Sequence, residues 1–293
     1  MSESIASLRH KIGSAEELES VVRTMKAMAA SSISQYENAV RSLDDYYRTV
    51  QLGLVACFRE NRSLGIIPTV KQPQQIPVAA IVFGSDQGLV GQFNEIMVEY
   101  AVDTLQKLPG KKTVWAVGAR IQSRLADTGL PPLGGFALPG SINAIAPLIG
   151  DILIELEARR EQGLIEQVYL FHNHPVSGSA YTPVSQQILP LDQAWLLNLA
   201  QIPWPTQNLP EVMGNRERTL SALVREYLFV TLFRACAESL ASENASRLAA
   251  MQRAEKNIDE LQHDLNRCFH RLRQSVIDEE LFDVISGFEA LKN

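Results

Sequence analysis

The sequence predicts an α/β protein in which a long antiparallel coiled coil, made by the N- and C-terminal helices, carries a small inserted α/β domain. Three observations carry this. All fourteen prolines lie between Pro68 and Pro210, and twelve of the seventeen glycines share that interval, so helix breakers are confined to the middle. From Leu220 to the C-terminus an apolar step of alternating three and four residues runs without one proline. A matching step runs from Ile5 to Cys57. The divisions that follow are 1–67 for the first coiled-coil helix, 68–210 for the α/β domain and 211–293 for the second helix.

The N-terminal seam reads Ile5, Leu8, Ile12, Ala15, Glu19, Val22, Lys26, Ala29, Ile33, Tyr36, Val40, Leu43, Tyr47, Val50, Leu54 and Cys57. Only Glu19 and Lys26 interrupt it. Polar residues at seam positions fix register at some cost in stability, or they sit at a ragged edge of the stripe; the pattern alone leaves both readings open. Small residues such as Ala15, Ala29 and Ala30 let two helices approach closely. The C-terminal seam runs from Leu220 through Tyr227, Ala237, Met251, Ile258 and Leu265 to Leu272, with Arg234, Asn244, Glu255 and Gln262 as its polar members. A helix from about Arg216 to about Leu291 is far longer than the usual ~11 residues and cannot bury its stripe against itself. Its natural partner is the N-terminal helix, and a strict heptad implies a left-handed supercoil.

In the middle, Val78 to Phe83 is a short apolar run that ends at Gly84-Ser85-Asp86 and reads as a buried strand. Phe93 to Leu105 has helical spacing, Thr113 to Val117 reads as a strand, and Arg120 to Ala126 as a helix. After a Pro/Gly-rich loop, Ile142 to Glu161 reads as a helix, Gln167 to Phe171 as a strand, and Ala180 to Leu189 as an edge strand carrying Pro183. Alternating strands and helices of this kind make a Rossmann-like domain with a mainly parallel sheet.

Composition excludes several function classes. A net charge of −6 argues against a general nucleic-acid binder. Cys57, Cys236 and Cys268 are widely spaced with no CxxC, which fits a reducing compartment and resembles neither a disulfide framework nor a zinc site. No signal peptide or membrane-spanning run is expected, so membrane association would come through other subunits.

Gly84-Ser-Asp-Gln-Gly-Leu-Val-Gly91 sits where a nucleotide-binding turn would sit, after a first strand and before a helix. It lacks the Lys-Ser/Thr of a phosphate loop and does not make GxGxxG, so a structural turn is the favoured reading. His172 and His174 flank Asn173 and point to one face, which suits a metal pair, but no carboxylate or cysteine stands at a ligand spacing beside them. Ordinary strand-end histidines are favoured. His263 and His270, seven apart on the last helix, read as solvated polar residues. Trp195 to Pro205 is either a docking patch or the chain packing back before the long helix starts. No catalytic residue, cofactor or metal is assigned. On residues alone, a coiled-coil scaffold with an α/β head, or a nucleotide-binding α/β enzyme with helical arms, remain rival classes.

Three stretches resemble the gamma subunit of F-type ATP synthases, the central rotor shaft. Val21-Val-Arg-Thr-Met-Lys-Ala-Met-Ala-Ala-Ser31 is similar to the family's I-T-K-A-M-K-M-V-A-A-S, and Gly84 to Asn94 to its S-S-D-R-G-L-C-G-G-F-N. Near the C-terminus, Ser242-Glu243, Arg247, Ala250-Met251, Ala254 and Asn257, then Arg273-Gln274, Ile277, Glu280-Leu281, Ile285, Gly287 and Ala290-Leu291, keep the family's order and spacing. Asp278 stands where the family has Thr, Leu248 where it has Met, Val90 where it has Cys, and Ser14 to Ser20 is unusually acidic. These departures point to a divergent branch, such as the second set of synthase subunits some prokaryotes carry, which is suspected of moving sodium.

The resemblance implies a central-stalk rotor of a proton- or sodium-translocating synthase, peripheral on the cytoplasmic face of a prokaryotic membrane and without catalysis of its own. The implied partners are the alpha and beta subunits of the catalytic hexamer, the epsilon subunit and the ring of c subunits. Implied subunit contacts are Met25 and Arg247 at mid-shaft, and Arg273, Gln274, Asp278 and Glu280 nearer the end. Ile285, Gly287, Phe288 and Leu291 would turn in an apolar bearing.

Overall fold

The computed structural model describes residues 4–59, 76–176, 180–191, 193–208 and 210–290. Leu291 and the predicted 67/68 division lie outside these residues. The elements are α1 (Ile5–Arg59), β1 (Val78–Phe83), α2 (Phe93–Lys107), β2 (Lys112–Val117), α3 (Ala119–Ala126), β3 (Gly134–Phe136), α4 (Ile145–Glu161), β4 (Gln167–Pro175), β5 (Tyr181–Leu189), α5 (Gln193–Ala200) and α6 (Arg216–Ala290). Side chains start both long helices by satisfying first-turn N–H groups: Ser4 Oγ accepts from Ser7 N at 3.1 Å, and Asn215 Oδ1 from Arg218 N at 3.1 Å.

By packing, the chain forms two compact units. One gathers the chain up to Ala29 and from Leu248 onward; the other is Ala30–Arg247. In the first unit, Met251, Glu255, Ile258, Gln262, Leu265, Phe269, Leu272 and Val276, with Ala254 beside them, are the less exposed positions of their stretch of α6, and apart from Ala254 they follow the predicted three-four step. On α1, Leu8, Ala15 and Ala29 are buried. The polar interruptions of one helix meet those of the other. Gln262 Nε2 donates to Glu19 Oε2 at 3.0 Å, and Lys26 Nζ to Glu255 Oε2 at 2.5 Å. As the α1 position rises by seven, its α6 partner falls by seven, so the pair is antiparallel and in one heptad register.

This favours the register reading over the ragged edge. Reversing either charge alone, Lys26→Glu or Glu255→Lys, should cost about 1 kcal/mol, since both groups are partly exposed. The double swap should recover most of it, as a thermal-unfolding double-mutant cycle would report.

The second unit holds a five-stranded sheet of order β3-β2-β1-β4-β5, parallel except that β5 runs antiparallel to β4. β1 is buried along its whole length because helices cover both faces. Ala79, Ile81 and Phe83 face a core shared with α4, α1 and α6. Val78, Ala80 and Val82 face one built from Met97, Val98, Ala101 and Leu105 of α2 and Ile121 and Leu125 of α3. On α4, Ile145, Leu148, Ile149, Ile152, Leu153 and Leu156 make one helical stripe.

Three details differ from the sequence reading. A short third parallel strand, Gly134–Phe136, lies inside the predicted Pro/Gly-rich loop. It is held by pairing with Trp115 to Val117 and not by any propensity of Gly-Gly-Phe. β4 continues past Phe171 to Pro175 because β5 pairs with it that far. The first turn expected of α4 is a 3₁₀ turn, Ile142–Ala144. Trp195 packs inward: its Nε1 donates to the Tyr227 hydroxyl at 2.8 Å, and its ring meets Tyr227 and Phe58 edge-on.

Candidate functional site

Strand order reverses between β1 and β4, and in open α/β sheets ligands bind in the crevice beyond the carboxyl ends of the strands at such a point. Here α6 occupies that crevice. Ser246 Oγ donates to the Val90 carbonyl at 2.6 Å, beyond the end of β1, and Ser242 Oγ to the Asn173 carbonyl at 3.0 Å, on β4. The Gly84–Gly91 turn also spends its polar groups internally. Asn94 Oδ1 accepts from Ser85 N at 3.0 Å, Asn94 Nδ2 donates to Ser85 Oγ at 2.8 Å, and Asp86 Oδ1 accepts from Ala119 N at 2.8 Å, fastening α3. The turn joins β1, α2 and α3 and seats α6.

His172 and His174 do share a face, the one towards α6. The carboxylate missing from their sequence neighbourhood comes from that helix. Glu238 Oε2 lies 2.9 Å from His172 Nε2 and 2.8 Å from His174 Nδ1, and Arg234 Nε donates to Glu238 Oε1 at 2.8 Å. His172 and Glu238 are buried, while His174 is half exposed. Burial by itself would raise the Glu238 carboxyl, but the bonds from His172, Arg234 and His174 outweigh it and hold it at about 2, below the ordinary 4.5. A cavity of about 180 Å³ opens beside the group, lined by Tyr47, Gln186 and Thr231 as well as His172, Arg234 and Glu238.

Sequence reasoning missed Glu238, and it met a second buried acid, Glu243, only as part of the family resemblance. Neither lies on the seam. The available signal was the run Ala235-Cys-Ala-Glu-Ser-Leu-Ala-Ser-Glu-Asn-Ala-Ser246, almost all small residues, which suits a helix packed on more than one side.

The family model described as ATP synthase matches residues 4–291. The chain belongs to this family. Among its relatives are the ATP synthase gamma chains of Dechloromonas aromatica, 26% identical over 97% of this chain and 98% of that one, and of Parafrankia sp., 24% identical over 97% and 96%. In fold it is similar to chains in three solved structures of two mitochondrial ATP synthases. The central stalk and c-ring of Tetrahymena thermophila gives a TM-score of 0.57 at 22% identity, covering 80% of this chain and 99% of that one. The Euglena gracilis rotor gives 0.65 at 14%, covering 93% and 98%. The Euglena gracilis assembly of OSCP, F1 and c-ring gives 0.62 at 15%, covering 98% and 94%. The chain is thus a gamma-type member of this family, with the fold of chains from solved central stalks and rotors.

In this gamma chain the expected contact residues fall into separate settings. Arg273, Gln274, Asp278 and Glu280 are all exposed on α6 in the first unit. Arg273 and Glu280, seven apart, share one side of the helix, and Gln274 and Asp278, four apart, share the next. Met25, on α1 of the same unit, is partly buried. Arg247 belongs to the second unit and is already engaged, donating through Nη2 to Glu243 Oε1 at 2.6 Å. Burial pushes the Glu243 carboxyl up despite this neighbour. Beyond Val276, α6 is exposed on every side where its side chains are described, and Ile277, Leu281, Phe282, Val284 and Ile285 stand in solvent. Gly287 is exposed, and Phe288 is carried on the last turns of the helix.

Proposed function

We propose that this chain couples rotation of a membrane ring of c subunits to ATP synthesis and hydrolysis, by presenting different contacts to three catalytic sites in turn. Its partners on this reading are the alpha and beta subunits, the epsilon subunit and the c-ring. It stands peripheral at the cytoplasmic face of a prokaryotic membrane and does no chemistry itself. Among the described residues no helix is long and apolar enough to cross a membrane.

The observation that best supports the reading is the matched seam of the first unit, where Glu19 meets Gln262 and Lys26 meets Glu255. A pair locked in one register transmits torque and cannot relax by slipping a heptad. An asymmetric rod cannot touch three equivalent sites alike, so each site's open and closed populations are biased differently. Moving a site from 1:99 to 99:1 takes about 5.5 kcal/mol of differential contact, within reach of a few charged or hydrogen-bonded contacts from Arg247, Arg273, Gln274, Asp278 and Glu280, with apolar contact from Met25. The exposed apolar end of α6, with Leu281, Phe282, Val284, Ile285 and Gly287, is suited to turning in an apolar sleeve.

In a reconstituted complex, Arg273→Ala and Glu280→Ala should each lower coupled ATP turnover about tenfold, the effect of losing ~1.4 kcal/mol of contact, with unchanged thermal stability because both residues are exposed. Full turnover in both variants would remove these residues from the coupling path. At Arg247 the informative change is Arg247→Gln, since charge reversal would set a second carboxylate against buried Glu243.

A further inference from the structure

Three donors on β4 and α6 meet as metal ligands do. One ring nitrogen of His172, one of His174 and a Glu238 carboxylate oxygen all lie within 4.8 Å of one another. The two imidazoles approach from alternate residues of one strand, and the carboxylate crosses from a helix 64 residues further on. We infer that His172, His174 and Glu238 form a binding site for a single divalent transition metal of the zinc type, which clips β4 to α6.

Chemistry selects that class. Two imidazole nitrogens and one carboxylate oxygen are the donor set of a zinc site with an open position, whereas calcium and magnesium require oxygen cages. Bonds of about 2.0–2.2 Å in a tetrahedron place ligand atoms roughly 3.4 Å apart. The two carboxylate–imidazole separations, 2.9 and 2.8 Å, need to open by about half an ångström to reach it. The cavity beside His172 and Glu238 has room for the water that would fill the open position. Half-exposed His174 supplies a way in from solvent.

The surroundings are arranged for the same end. Arg234 holds Oε1 of Glu238 and leaves Oε2 for the ligand face, which is how an outer hydrogen bond orients a ligating carboxylate. The Arg234 charge, which would repel a cation, is offset by Asp44 of α1 at 3.3 Å. Among the described residues His172 Nδ1 has no hydrogen-bond partner, so it is open to carry the ring proton when Nε2 exchanges its hydrogen bond to Glu238 for a bond to the metal. The same missing acceptor weakens the site by about ten- to a hundredfold relative to a fully supported one, so the expected dissociation constant is about micromolar.

The experiment uses the full chain, stripped with a chelator and titrated with Co²⁺ and then Zn²⁺. One Co²⁺ per chain with visible d–d absorption, displaced by Zn²⁺, is expected, along with a Zn²⁺-dependent rise in Tm of about 5 °C at a hundredfold excess over Kd. His174→Ala should lower the stripped protein's Tm only slightly, because His174 is half exposed and Glu238 keeps His172 and Arg234, and should weaken Co²⁺ binding at least about tenfold. The double variant His263→Ala with His270→Ala should bind as the parent does. No saturable binding up to the order of 100 μM, or binding undiminished in His174→Ala, overturns the inference.

Discussion

Gly84→Ala is expected to destabilise the sheet-bearing unit by about 3 kcal/mol, lowering the urea midpoint with little change in m. An added Cβ would lie 2.3 Å from Ile121 Cβ, 2.5 Å from its Cγ2 and 2.8 Å from Asn94 Oδ1. Ile121 is fully buried on α3 and its β-branch cannot swing aside. Asn94 Oδ1 is the acceptor that holds Ser85 N. Relief therefore requires α3 to move off β1 and the Asn94–Ser85 pair to open, adding a lost buried hydrogen bond to the overpacking. Gly88→Ala is the matched control. A Cβ there meets nothing within 4 Å, so its effect should stay within ~0.5 kcal/mol. Equal stability of the two variants would mean that α3 does not close over the end of β1.

Glu238→Ala should cost about as much, roughly 3 kcal/mol, measured with a chelator present so that metal plays no part. The carboxylate joins three groups, His172, His174 and Arg234, and removing it leaves His172 buried and Arg234 without its closest partner. The figure is set at the low end for a broken buried pair because Arg234 is 40% exposed and still reaches Asp44. Glu238→Gln, which keeps an acceptor without the charge, should lose about half of this. A Glu238→Ala variant as stable as its parent would show that the β4–α6 contact contributes nothing to holding the helix on the sheet.

Much of the architecture was legible because it rests on local periodicity. The three-four step from Leu220 placed α6 within a residue or so of its observed Arg216–Ala290, and the confinement of proline placed the sheet. β3 was not legible, since Gly134–Phe136 is a strand only through its neighbour β2. At the site, the histidine pair could be seen in the chain, but its carboxylate could not. Glu238 lies beside the seam residue Ala237, where the heptad assigns a charged residue to solvent. Tyr46 and Asp44 show the same blindness. Their partners, Glu226 and Arg234, are 180 and 190 residues away.

By itself the sequence determined that two long amphipathic helices flank a compact α/β insert, and which of their seam positions are polar. Those facts follow from spacing along one chain, and no partner is needed to read them. Tertiary structure alone decided which polar residue meets which, Glu19 with Gln262 and Lys26 with Glu255, and that α6 is buried on a second side by the sheet. A periodic stripe gives the direction of one face. Whether another face is covered depends on a third element, and here that element draws Glu238 out of water and sets it between two histidines.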